Sequence, residues 1–369
     1  MTTLLLKDPL RKVVERESGG LQTVLYTANN QPSIFNIVPK FDMSVIDSTM
    51  SGTHPAFIVD GVEKDVIYIG TYQGVVINNE LLSLPDQNPT GLLTQAQFQA
   101  YAKNCGANFH IMTNAERAAI ALRSAIEGTL PLGNNNYGAS TEDATQKGER
   151  LDGGIAGVAP TNLSDRLTAK AGICYTGSGP IRWRHNNAYN GISDLSGNGN
   201  EIISGLRLYN GEIQIIENNN AANQANDSSG TSTAWKAIDA TNGNLVTPNG
   251  LGTTANTVKI VNSGIANYSL TIPPGLSTLF HTLVNSISAA ISDAALARLK
   301  RLALFPIWNN AAMTGSDYIK ANTTGINGAH FGGSQYSGGN DSGMFNLALN
   351  DPMDTWQQNI VFARPCYYK

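Results

Sequence analysis

Charge is scarce in this chain. Of its 369 residues only 14% are Asp, Glu, Lys or Arg, against roughly 25% in an ordinary soluble domain, and the formal net charge is −4. That balance offers no field for phosphate backbones, so nucleic acid is excluded as the expected partner. Cysteine is scarcer still. Cys105, Cys174 and Cys366 form neither a Cys-x-x-Cys pair nor an even framework, which argues against a structural zinc or a disulfide scaffold. Buried free thiols are the expected state. Long apolar runs are also missing: nowhere do ~18 apolar residues follow one another, and Met1 to Leu6 is too short for a secretory signal. The expectation is a protein made in the cytoplasm without a signal peptide and without membrane insertion.

Marks of catalysis are equally sparse. His54, His110, His185, His281 and His330 show no i, i+4 pair and no carboxylate at metal-ligand spacing. No Gly-x-Ser-x-Gly elbow marks a nucleophile, and the run from Gly332 to Gly339 lacks the Gly-Lys-Ser/Thr ending of a phosphate loop. Trp308-Asn309-Asn310 lacks the acid that a calcium site would want. The reading is therefore no catalytic residue, no metal ligand and no cofactor.

What is present is apolar residues, 41% of the chain, enough for a real core, with Asn, Ser, Thr and Gly where charge is missing. Two capping boxes are legible. Thr94 with Gln97 opens a helix carrying Phe98, Tyr101, Ala102 and Cys105; Thr113 with Glu116 opens another, with Ala115, Ala119, Leu122 and Ile126 on one face and Gly128 at its end. Ser292 caps a third, whose stripe of Ala295, Leu296, Leu299 and Leu302 reads as core. Asn210-Gly211 between two alternating runs predicts a tight hairpin, and Asp60-Gly61 a second between Ile58 and the strand Val66 to Tyr72. Asn218 to Ser232 reads as an exposed loop.

The segment Tyr189 to Glu201 is a turn array, with Gly191, Gly197 and Gly199 at its bends. Its pattern resembles the formylglycine-generating-enzyme type of C-type lectin fold. The block Phe109 to Leu122 resembles that fold's second helix, and Leu130 to Gly138 the loop after it. Gly332 to Gln335, Ser342 to Asn350 and Asn359 to Pro365 resemble the C-terminal block of phage lectin-fold variable proteins, a family related to diversity-generating retroelements and major tropism determinants.

The resemblance implies an α+β C-type lectin fold, with two helices around a mixed sheet and a β-hairpin insertion at about 206–262. The lectin-like domain would span 54–369, after an N-terminal attachment or oligomerisation segment over 1–53. It further implies a tail protein of a virion that recognises a host surface receptor, protein or glycan, alongside other virion tail proteins. A single loop face binds modestly, so a homotrimer that adds avidity is expected.

Within the C-terminal block, Met344, Phe345, Leu347, Leu349, Ile360 and Phe362 read as frame. Gln335, Tyr336, Ser337, Asn340, Asp341, Asn350, Asp354, Thr355, Trp356, Gln357 and Gln358 read as the ligand-binding tips, with Tyr336 and Trp356 as anchors. Two alternatives stand beside this. One is a copper- and oxygen-dependent oxidase of the formylglycine-generating type, for which only Cys366 lies in the required region; the other is a structural virion decoration protein.

Overall fold

Helix α3 (Asn114–Ile126) organises the molecule. Thr113 Oγ1 accepts from Glu116 N at 3.1 Å and Glu116 Oε2 from Thr113 N at 2.9 Å, so the capping box forms as its sequence predicts. Its alanines permit close approach on every side, and all its residues but Arg123 and Ile126 are buried. One apolar face was thus too narrow an expectation: a helix covered all round is a core helix.

The computed structural model describes residues 8–275 and 277–369; the run Met1 to Leu6 lies outside them. Within the described residues α3 packs between two sheets in one core. Ile67 and Ile69 reach it from one sheet, and Ile203, Leu206 and Leu208 from the other. The architecture is α+β. No helix among the described residues is long and apolar enough to cross a membrane.

The smaller sheet has five strands in the order Gln22–Tyr26, Pro32–Pro39, Val66–Gly70, Pro365–Tyr368, Phe109–Ile111, each pair antiparallel. Within residues 8–53, Gln22–Tyr26 and Pro32–Pro39 are thus strands of a sheet that later parts of the chain complete. Pro32–Pro39 is a sheet strand and Phe35 is fully buried, because an apolar edge pairs more favourably than it stands in water. Helix α1 (Pro9–Glu17) lies outside the sheet and buries none of its residues, with Leu10 and Val13 exposed. The hairpin at Asp60-Gly61 is also smaller than expected. Positive φ at both residues turns two-residue strands, Ile58–Val59 and Val62–Glu63, whereas Val66–Gly70 leaves to take two partners in the small sheet.

The larger, mixed sheet has eleven strands, with Asn200–Tyr209 and Ile326–Gly332 at its centre, followed by Gly343–Pro352 and Tyr318–Ala321. Asn210 (φ 46°) and Gly211 (φ 86°) make the predicted tight turn into Glu212–Ile215. Leu206 to Tyr209 continue the central strand Asn200–Tyr209 without a break. Helix Asp293–Arg301 is capped by Ser292 and buries Ala295 and Leu299, as expected.

Asn218 to Ser232 is not an exposed loop. Asn219 is fully buried, donating to Ala56 O (2.9 Å) and Glu116 Oε1 (3.1 Å) and accepting from Thr113 Oγ1 (2.6 Å). An amide with that many partners can leave water at little cost.

Candidate functional site

The turn array Tyr189 to Glu201 builds the platform. Asp194 and Asn198 have positive φ and buried side chains, and Asp194 Oδ2 accepts from Gly177 N at 2.8 Å. Asn198 Oδ1 accepts from Asn134 Nδ2 (2.9 Å) and Cys174 N (2.8 Å), while its Nδ2 donates to Gln73 Oε1 (2.8 Å). Glu201 accepts from Arg364 Nε and Nη2 at 3.0 and 2.5 Å, and Arg364 also donates to Gly70 O and Ser193 O. Both members of that ion pair are buried. The segment is structural, and it ties the strands to the long connection between Thr129 and Asn198.

The predicted tips divide into two groups. Asn340, Asn350, Asp354, Thr355 and Gln357 are exposed; Tyr336, Ser337, Asp341, Trp356 and Gln358 are half-buried. Gln335 is a correction: it is fully buried, its Nε2 donating to Arg166 O and Ala171 O, both at 3.1 Å. Its carbonyl accepts from Tyr137 N at 2.6 Å. It therefore clamps a neighbouring loop instead of facing a ligand. The clamp needs a glycine opposite, since a Cβ on Gly172 would lie 2.9 Å from Tyr137 Cδ1 and 3.2 Å from Gln335 Cγ.

Both expected anchors are partly engaged. The Arg166 guanidinium lies 4.3 Å from the centre of the Tyr336 ring, and Tyr137 stacks beyond it at 6.4 Å. Trp356 lays one face on His330 at 4.2 Å, and His330 Nε2 meets Asp351 Oδ2 at 2.9 Å. Asp341 is paired with Lys320 at 2.5 Å, and Asp354 accepts from Gly230 N at 3.1 Å.

One element joins the two groups, and the sequence reading missed it. Residues 150–171 run past the Gln335 turn and Asn359: Gln335 holds Arg166 O and Ala171 O, while Asn359 Nδ2 donates to Leu167 O at 2.9 Å. Arg150, itself buried, stiffens this segment. Its guanidinium grips Asp152 through Nε and Nη2 at 2.8 and 2.6 Å, and Nη1 donates to Ile155 O and Val158 O at 2.7 and 2.6 Å. Arg150 correspondingly holds the Asp152 carboxyl below the usual range.

The result is apolar side chains held in water. Ile155 is 74% exposed, and Val158, Leu163 and Leu167 are exposed beside it. Nearby, Lys170 Nζ donates to Asn88 Oδ1 (2.8 Å) and Pro89 O (2.5 Å), with no carboxylate at hand; burial pulls it down to about 8. The signal was available: Ile155 and Val158 sit among Gly153, Gly154 and Gly157 with no alternation to mark a buried strand, and the single helical turn Asp165–Thr168 is too short to bury Leu163 and Leu167.

The three cysteines are free and buried in different surroundings. Cys105 Sγ lies against Leu81 O and Cys174 Sγ beside Asn134 Nδ2, whereas Cys366 groups with His110 and Glu116. No pair of thiols meets there, which is what a two-cysteine copper centre would require. Comparison with models of protein families and with curated proteins finds no match for this chain.

Proposed function

We propose that this protein is a phage receptor-binding protein, a virion tail component with a C-type lectin fold. It would grip a host surface ligand with a rim made of residues 150–167, Tyr336 and the 350–358 loop. The observation that carries this reading is Ile155 and its apolar neighbours, exposed on a backbone that Arg150 fastens in place. A soluble surface gains nothing by immobilising apolar groups in water unless a partner covers them. Exposed Asn340, Asn350, Thr355 and Gln357 supply adaptable hydrogen bonding at its edge.

Recognition of this kind needs no chemistry, and avidity would come from copies joined through the exposed Leu10 and Val13 of α1. Light scattering at micromolar concentration should return the mass of a trimer; a monomer counts against that part. For recognition itself, the fluorescently labelled full chain is titrated onto a panel of bacterial cells. Saturable binding to at least one strain, competed by unlabelled chain, is the expected result. Absence of competed binding across the panel overturns the reading.

A further inference from the structure

A second location draws on residues that the rim does not use. His110 and Cys366 sit directly opposite each other on neighbouring antiparallel strands, which puts both side chains on one face of the sheet. That face meets the start of α3, where Glu116 occupies the third helical position. One ligand atom from each of His110, Glu116 and Cys366 lies within 4.8 Å of the others, and all three residues are buried.

The groups around them fix orientation. His110 Nδ1 meets Asn108 O at 3.0 Å. A carbonyl only accepts, so Nδ1 carries a proton and Nε2 points at Glu116 Oε1, 2.8 Å away. Glu116 is held in turn by Thr113 N through Oε2 and by Asn219 Nδ2 through Oε1. A ring whose far nitrogen is tied to a backbone carbonyl, beside a carboxylate tied by an amide, is the arrangement that surrounds metal-bound imidazole.

Of the three, His110 alone borders a neighbouring cleft. A cleft of about 320 Å³ is lined by His110, Ser204, Lys103 and Asp227, and Ser204 Oγ is buried there with no hydrogen-bond partner.

We infer that His110 Nε2, a Glu116 carboxylate oxygen and Cys366 Sγ form a three-ligand site for one divalent zinc ion. Imidazole, carboxylate and thiolate are the donor types that zinc takes, and three protein ligands leave one position for water or a small ligand. Charge favours the ion too: a dication with one thiolate and one carboxylate is neutral, the condition that a buried site requires. Binding displaces the thiol proton of Cys366 and the proton that His110 Nε2 shares with Glu116, and both leave to solvent. Without the metal, burial keeps the Cys366 thiol protonated. The inference is independent of receptor binding.

The test uses the full chain, stripped with chelator and titrated with Co²⁺ as a spectroscopic stand-in for zinc. One cobalt per chain and a thiolate-to-cobalt charge-transfer band are expected. The band should vanish in Cys366→Ala and persist in the Cys105→Ala/Cys174→Ala double variant. Asn219→Ala, which frees Glu116, should weaken zinc ~10- to 100-fold. No stoichiometric cobalt, or a band that survives Cys366→Ala, overturns the site and leaves a hydrogen-bonded structural cluster. Should Cys366→Ala fail to fold, the wild-type spectrum decides alone: without the thiolate band the inference fails.

Discussion

The centre and the rim of this molecule treat side chains in opposite ways. Around Asn198, Glu201 and Arg364, polar groups are buried and almost every atom has a partner. Along residues 150–167, Ile155, Val158, Leu163 and Leu167 are exposed, on a backbone that Arg150 holds at Ile155 and Val158. The centre spends hydrogen bonds on shape; along the rim, shape keeps apolar side chains exposed. The difference teaches that scarcity of charge here does not mean scarcity of electrostatics, since the few charged groups at the centre work where water cannot screen them.

The largest expected effect breaks the centre. Arg364→Ala leaves the Glu201 carboxylate buried without its cation, and loss of one partner of such a pair costs ~3–5 kcal/mol. Denaturant unfolding should register that loss; a change below 1 kcal/mol would mean that water reaches Glu201 readily.

Next comes pH. His185 is half-buried and its Nδ1 accepts from Ile192 N at 2.8 Å; loss of water around the ring holds it down to about 4, below its ordinary 6.5. As pH falls below 6.5 the unfolded chain takes up a proton that the folded chain refuses, so stability is lost on acidification until about pH 4. Other groups titrate in the same range, which makes the informative quantity a difference. Between pH 6.5 and 4.5 the wild type should lose about 2 kcal/mol more than His185→Gln. Parallel pH profiles of the two proteins would refute this.

Smaller again is Arg150→Met. The freed carbonyls of Ile155 and Val158 can turn to water, so global stability should drop by only about 1 kcal/mol. Amide hydrogen exchange over 150–160 should accelerate while that of α3 stays unchanged. Equal acceleration in both would erase the distinction between rim and centre. Smallest is Ile155→Asp, for which a change in stability within about 0.5 kcal/mol is expected, because the side chain already sits in water.

What could be read from the sequence was local. The capping boxes at Thr94 and Thr113, the Asn210-Gly211 turn and the Ser292 cap need only neighbours a few residues away, and all form. What escaped depends on distant partners. Asn219 and Gln335 looked like surface amides, and each is buried because backbone carbonyls far along the chain accept from it. The first 53 residues looked separable because nothing in them announces that Pro32–Pro39 pairs with Val66–Gly70. His110 and Cys366 meet only because the last strand lies beside Phe109–Ile111. On the rim, the exposure of Ile155 escaped the sequence reading, since it follows from the absence of a period instead of the presence of one.

The most direct test of the rim pairs two readings on one sample: saturation binding to a bacterial strain that takes up the wild-type chain, and the unfolding midpoint, for Ile155→Asp with Leu163→Asp. The account predicts binding weakened at least ~10-fold, about 1.4 kcal/mol, with an unchanged midpoint. Undiminished binding by that doubly charged variant would contradict it.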